Sequence, residues 1–75
     1  MRVFLEIFKE QSEEESEKGV PREEIRVDVS DLGESEIVRK RDEIVAMLGW
    51  KNFKSQIHYC YHDEAQVRPC EIREI

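Results

Sequence analysis

The chain has 75 residues, which suffice for one domain with a thin core and exclude a large enzyme. Its net charge of -6 gives an acidic surface that repels nucleic-acid phosphates and accommodates basic protein partners more easily. The charged fraction of 40% would suit a disordered chain, but apolar residues recur at regular spacing, so we expect residues 1–75 to form one folded domain.

Dense mixed charge on an ordered chain is typical of proteins from hot environments, so we expect a thermostable protein. No apolar run approaches the ~18 residues of a membrane span. The N-terminal segment carries Glu6 among its apolar residues and lacks a small-residue cleavage site, so it is not a signal peptide. We therefore expect a cytoplasmic protein that binds no membrane.

Two strands are predicted in the first thirty residues. Residues 1–9 carry apolar side chains on both alternating sets, which favours a central strand. The sets are Val3, Leu5 and Ile7 on one face and Phe4 and Phe8 on the other. Residues 10–22 are predicted to be an acidic, flexible loop that lacks the ligand spacing of a calcium loop. In residues 23–30 apolar and polar side chains alternate, which predicts a strand with one solvent-exposed face.

A helix is predicted next. Asp31 and Glu34 resemble a capping box, and Ser35 is the other candidate cap. Gly49 is expected to end the helix in the left-handed conformation, with Trp50 folded back onto the last turn. The apolar stripe, which we interpret as core, consists of Ile37, Val38, Ile44, Val45 and Leu48, with Met47 at its margin.

After a connection at residues 51–55, strands are predicted at about 56–62 and 67–74, and two registers are open. If His62 pairs with Val67, one face becomes strongly apolar, which hydrophobic burial favours, but Cys60 and Cys70 lie on opposite faces. If Asp63 pairs with Val67 instead, the two cysteines lie directly opposite each other and a disulfide is feasible. A bulge could reconcile the two registers.

The cysteines thus have three interpretations: a structural disulfide, two packed thiols, or a small metal or redox site that uses Cys60, His62 and Cys70. His58 and His62 lie about 13 Å apart on an extended strand and cannot share one ion. A redox function lacks the expected Cys-x-x-Cys motif. We predict no metal and no cofactor.

The predicted fold is α+β, with a single helix on a four-stranded mixed sheet in the order ββαββ. This order, with the helix preceded by Ser30-Asp31-Leu32-Gly33-Glu34-Ser35, resembles the β-grasp topology of ubiquitin-type proteins. Modifiers and sulfur carriers of that type end in Gly-Gly, whereas this chain ends in Arg73-Glu74-Ile75. The resemblance therefore implies a binding module and not a carrier or modifier.

The functional prediction is a non-enzymatic protein-interaction module that binds another protein or itself and takes no small-molecule substrate. A Cys-His nucleophile is disfavoured because Cys60 and His62 would stand about 7 Å apart on one strand, too far for direct proton transfer. The candidate interface residues are Trp50, Phe53, Tyr59 and Tyr61. The alternative is a nucleic-acid-binding protein, against which the acidic surface weighs, using Arg39, Lys40, Arg41, Lys51 and Lys54.

Overall fold

The computed structural model describes residues 2–61 and 69–75. Its strands are β1 (Arg2–Lys9), β2 (Glu24–Asp28), β3 (Phe53–Cys60) and β4 (Glu71–Glu74), and its helices are α1 (Glu13–Glu17) and α2 (Glu34–Leu48). The strands form one open sheet in the order β2-β1-β3-β4, and each neighbouring pair is antiparallel. The prediction of an α+β fold is confirmed.

Strand β1 is central, as its two apolar faces predict. It pairs with β2 on one side, where Leu5 faces Val27, and with β3 on the other, where Leu5 faces Ile57. Because β1 runs antiparallel to both neighbours, the predicted mixed sheet is wrong. The β-grasp topology and the ββαββ order are not confirmed, since a second helix is present and all three pairings are antiparallel.

The additional helix, α1, lies inside the segment predicted to be a loop. Ser12 caps it, because the Ser12 hydroxyl accepts a hydrogen bond from the Glu15 backbone N–H at 3.2 Å. Three glutamates occupy its first turn, where negative charge is favourable to the helix dipole. The acidic composition that suggests a solvated loop therefore also suits a short helix without buried residues.

Helix α2 covers one face of the sheet and makes the core with it. The buried apolar residues are Val3, Leu5, Ile7, Val29, Ile37, Val45 and Ile57. The predicted stripe is right for Ile37 and Val45, but Leu48 and Met47 are exposed. The described part of the chain contains no helix with the length and apolar character needed to cross a membrane.

The two ends of α2 differ in how well the sequence predicts them. Gly33 is the N-cap and makes no side-chain cap, so neither Asp31 nor Ser35 has the predicted role. At the other end Gly49 adopts the predicted left-handed conformation, with φ 69°. The Trp50 N–H donates to the Val45 carbonyl at 3.0 Å, and the Gly49 N–H to Ala46, which closes the last turn.

The pairing of β3 with β4 decides between the two predicted registers. His58 faces Ile72 and Tyr59 faces Glu71, which is the register that places Cys60 opposite Cys70. The register favoured by hydrophobic burial is therefore wrong, and Ile72 lies on the face away from α2 with half of its surface exposed. Strand β3 also begins at Phe53, inside the predicted connection. The predicted tip, including His62, lies outside the described residues.

Candidate functional site

Glu6, His58 and Cys60 lie on the sheet face opposite α2, which we call the open face. Strand alternation and the registers place its side chains. They include Phe4, Glu6 and Phe8 of β1, Arg26 of β2, Lys54, Gln56, His58 and Cys60 of β3, and Ile72 and Glu74 of β4.

Glu6 is the centre of a polar network on the open face. Its carboxylate accepts a hydrogen bond from Gln56 Nε2 at 2.7 Å and lies 3.3 Å from both Arg26 Nε and His58 Nδ1. Burial raises the pKa of Glu6, but these hydrogen bonds and the charges of His58 and Arg26 lower it by more, to below its usual 4.5. Glu6 is therefore ionised at neutral pH and acts only as an acceptor.

This carboxylate orients the His58 ring. Because Glu6 can only accept, the Nδ1 atom of His58 that faces it is the donor of this contact. Nε2 is buried and has no hydrogen-bond partner among the described residues. The imidazole is also held by the Phe4 ring, which it meets edge to face at 6.3 Å between centroids. Glu6 and Phe4 together therefore hold the imidazole in a defined orientation.

Two thiols lie beside this imidazole. Ligand atoms of His58, Cys60 and Cys70 all lie within 4.8 Å of one another, and the three residues are half-buried. Cys60 and Cys70, both within the described ranges, are not joined by a disulfide. Partial burial and the hydrogen bond with the Cys60 thiol raise the pKa of Cys70 above its usual 9.0. At neutral pH Cys70 is accordingly a protonated thiol.

A cleft of about 520 Å³ opens at the other end of the open face, beside Phe8. The Arg22 guanidinium stacks over the Phe8 ring at 5.0 Å from its centroid, and Lys54 and Phe53 also line the cleft. Neither Arg22 nor Lys54 forms an ion pair with a carboxylate of the described residues. Glu74 lies on the same lining.

The aromatic residues predicted as an interface lie mostly elsewhere. Trp50, Phe53 and Tyr59 are half-buried and pack against the core, and Tyr61 is half-buried. Only Phe53 also lines the cleft. Phe4 and Phe8 were not among the predicted interface residues, although their place opposite the aliphatic set of β1 is a signal in the sequence that could have identified them.

The cations predicted for nucleic-acid binding do not share one surface. Arg41 donates to Ser55 Oγ at 3.3 Å and to Asp42 at 2.8 Å, and only 17% of its side chain is exposed. Lys54 is on the open face, whereas Arg39 and Lys40 belong to α2 on the other side of the sheet. Lys51 is exposed in the turn after α2.

No protein-family model, curated protein or solved structure matches this chain.

Proposed function

We propose that the protein is a non-enzymatic interaction module whose open face binds an acidic, apolar segment of a partner protein. The observation that carries this proposal is the pair of cations, Arg22 and Lys54, that line the cleft beside Phe8 without a carboxylate partner among the described residues.

Several described cations have no ion pair, but Arg22 and Lys54 are the two of them that line one cleft. The chain has 18 acidic residues and 12 lysines and arginines, so carboxylates within the chain outnumber the cations that need them. Two cations at one cleft without an ion pair favour a carboxylate supplied by another molecule. Glu74, on the same lining, would disfavour a segment with uniform dense charge and favour one that alternates acidic with apolar residues.

The aromatic side chains supply the apolar part of the surface. Phe8 lies under Arg22, and Phe4 lies under Arg26, whose Cζ is 4.1 Å from the ring centroid. Stacking on a ring and, for Arg26, the ion pair with Glu6 hold these guanidinium groups in place before binding. Ordered arginines and aromatics lose little conformational entropy on association and commonly carry most of the binding free energy.

The proposal is tested by titrating the full ¹⁵N-labelled chain with a synthetic peptide of alternating glutamate and leucine. We expect amide shifts concentrated at Phe8, Arg22 and residues 53–56, with an affinity that falls as salt is added. The double variant R22E/K54E should bind at least about tenfold more weakly, since charge pairs across interfaces carry this much coupling. The variant R39E/K40E changes net charge equally on α2 and should bind as the wild type does.

Equal binding by R22E/K54E and the wild type would contradict the proposal. Sedimentation of the peptide-free protein tests whether the cleft binds a second copy of this chain instead of another protein. A dimer that dissociates in the R22E/K54E variant would show self-association through the cleft. A short single-stranded DNA tests the alternative function. Shifts centred on Arg39 and Lys51 at low salt would favour nucleic-acid binding over the proposed function.

We further propose that this module is thermostable and acts in the cytoplasm, and the charged fraction of 40% supports the first part of this proposal. Thermal unfolding followed by circular dichroism tests the first part. A midpoint in the ordinary mesophilic range of about 45–65 °C would contradict it.

A further inference from the structure

We propose that His58, Cys60 and Cys70 form a binding site for a zinc-class transition-metal ion, with Glu6 as the residue that positions the histidine. This inference is independent of the proposed function, because the three residues lie on the open face at the end away from the Phe8 cleft.

The donor set selects the class of ion. Two cysteine sulfurs and one imidazole nitrogen are a ligand combination that Zn²⁺ and its analogue Co²⁺ accept in tetrahedral geometry, and thiolates disfavour Mg²⁺ and Ca²⁺. Bond lengths of about 2.0–2.3 Å imply donor separations of up to about 3.8 Å in a tetrahedron. The observed upper limit of 4.8 Å is therefore wider by about one ångström, a change that side-chain rotation at the two cysteines can supply.

The sheet brings the three donors together without distortion of the backbone. His58 and Cys60 are two residues apart on β3 and hence on the same face. The register that pairs His58 with Ile72 carries Cys70 across from Cys60, and the two thiols are hydrogen-bonded. The site thus joins β3 to the residue just before β4.

The second, separate observation concerns His58 Nε2. This atom is buried and has no hydrogen-bond partner among the described residues, while Nδ1 on the other side of the ring faces the Glu6 carboxylate. Histidines that bind metals commonly donate their other N–H to a carboxylate, which fixes the tautomer and increases the basicity of the ligating nitrogen. The Glu6–His58 pair already has this arrangement.

Binding exchanges protons for the ion and involves no electron transfer. Zn²⁺ displaces one proton from each thiol, the two sulfurs bind as thiolates, and the two protons go to solvent. His58 binds as a neutral imidazole through the ring nitrogen that does not face Glu6. The two thiolate charges balance the charge of the ion.

The test is a titration of the reduced, metal-free full chain with Co²⁺, followed by displacement with Zn²⁺. We expect one ion per chain, a sulfur-to-cobalt charge-transfer band and the intense visible bands of tetrahedral Co²⁺. C60S and C70S should each reduce the charge-transfer band, and H58N should weaken binding by at least about tenfold. E6Q should weaken it by about 10–100-fold, the range for such supporting carboxylates.

Two variants serve as controls, and circular dichroism checks that every variant is folded. E23Q makes the same kind of change as E6Q at a carboxylate that pairs with Lys9, at the end of β1 opposite the cysteines, so its metal affinity should be unchanged. H62N alters the other histidine of the chain and should weaken binding less than H58N does.

Absence of a charge-transfer band would overturn the site, as would a larger loss in H62N than in H58N. An E6Q protein that binds Co²⁺ as tightly as the wild type would overturn the positioning role of Glu6. None of these measurements uses the peptide, so they can fail while the proposed function stands, and the reverse also holds.

Discussion

The Glu6 carboxylate lies 3.3 Å from Nδ1 of His58 across a sequence separation of 52 residues. The same carboxylate also contacts Arg26 on β2 and Gln56 on β3. One acidic side chain of the central strand therefore connects three neighbouring strands on the face that α2 leaves uncovered. Its ionisation should influence both the stability of the sheet and the orientation of the imidazole.

Stability should fall in acid through Glu6. Burial raises its pKa, while hydrogen bonds from Gln56 and His58 and the nearby charges lower it by more, to below 4.5 in the folded state. A group whose pKa is depressed by folding stabilises the protein above its unfolded pKa, and this contribution is lost as the pH falls through the folded value. Urea unfolding from pH 7 to pH 3 should show a smaller acid loss in E6Q than in the wild type. An unchanged acid loss in E6Q would show that other carboxylates dominate.

Zinc should protect the cysteines from alkylation in a pH-dependent manner. Partial burial and the hydrogen bond with Cys60 raise the pKa of Cys70 above 9.0, so a proton must leave when the metal binds. Zinc affinity should therefore increase with pH, with about two protons released per ion. Mass spectrometry after iodoacetamide treatment should show slower labelling of Cys60 and Cys70 with zinc present. Equal labelling rates with and without zinc would argue against thiolate ligation.

Truncation of the core at Leu5 should be costly. Leu5 is fully buried between β2, β3 and α2, so Leu5→Ala removes apolar contacts and leaves a cavity. We expect the free energy of unfolding to fall by about 2–5 kcal/mol, measured by urea denaturation. Met47→Ala is the matched control, since Met47 is 85% exposed, and it should change stability by less than about 0.5 kcal/mol. Similar losses in the two variants would contradict this placement of the core.

Gly49 should be required for its backbone conformation and not for the space around it. A Cβ at this position meets no atom within 4 Å, but φ is +69°, which disfavours L-residues with a side chain. Gly49→Ala should therefore lower the unfolding free energy by about 1 kcal/mol. Gly49→Asn should lose less, because asparagine tolerates the left-handed region better. Thermal unfolding of both variants checks the order, and a larger loss in the asparagine variant would contradict it.

Local sequence patterns predicted the fold well where the structure of a strand or helix depends on its own residues and not on distant ones. The two apolar faces of residues 3–8 predicted a central strand, and Gly49 marked the end of α2. The short helix at Glu13–Glu17 was missed because clustered glutamates suit both an exposed helix and a solvated loop. Neighbours in the sheet were predicted less well, since β1 and β3 are far apart in sequence and alternation does not say whether strands pair parallel or antiparallel.

The candidate site was only half predictable. Cys60 and Cys70 were expected to meet in one of two registers, and hydrophobic burial favoured the other, which would have placed Ile72 against the core. The structure instead leaves Ile72 exposed beside His58. The contribution of Glu6 could not be foreseen, because no sequence pattern relates a residue of β1 to one that lies 52 positions later.

Strand β1 has one sheet partner close in sequence and one far away. Its hairpin with β2 needs only the first 28 residues, whereas the contact of Glu6 with Gln56 spans 50 residues. During synthesis, the backbone amides on the β3-facing edge of β1 therefore remain unpaired until β3 has left the ribosome. Closing that long span also slows folding relative to a local meander, so the nascent hairpin passes through a period of vulnerability to aggregation.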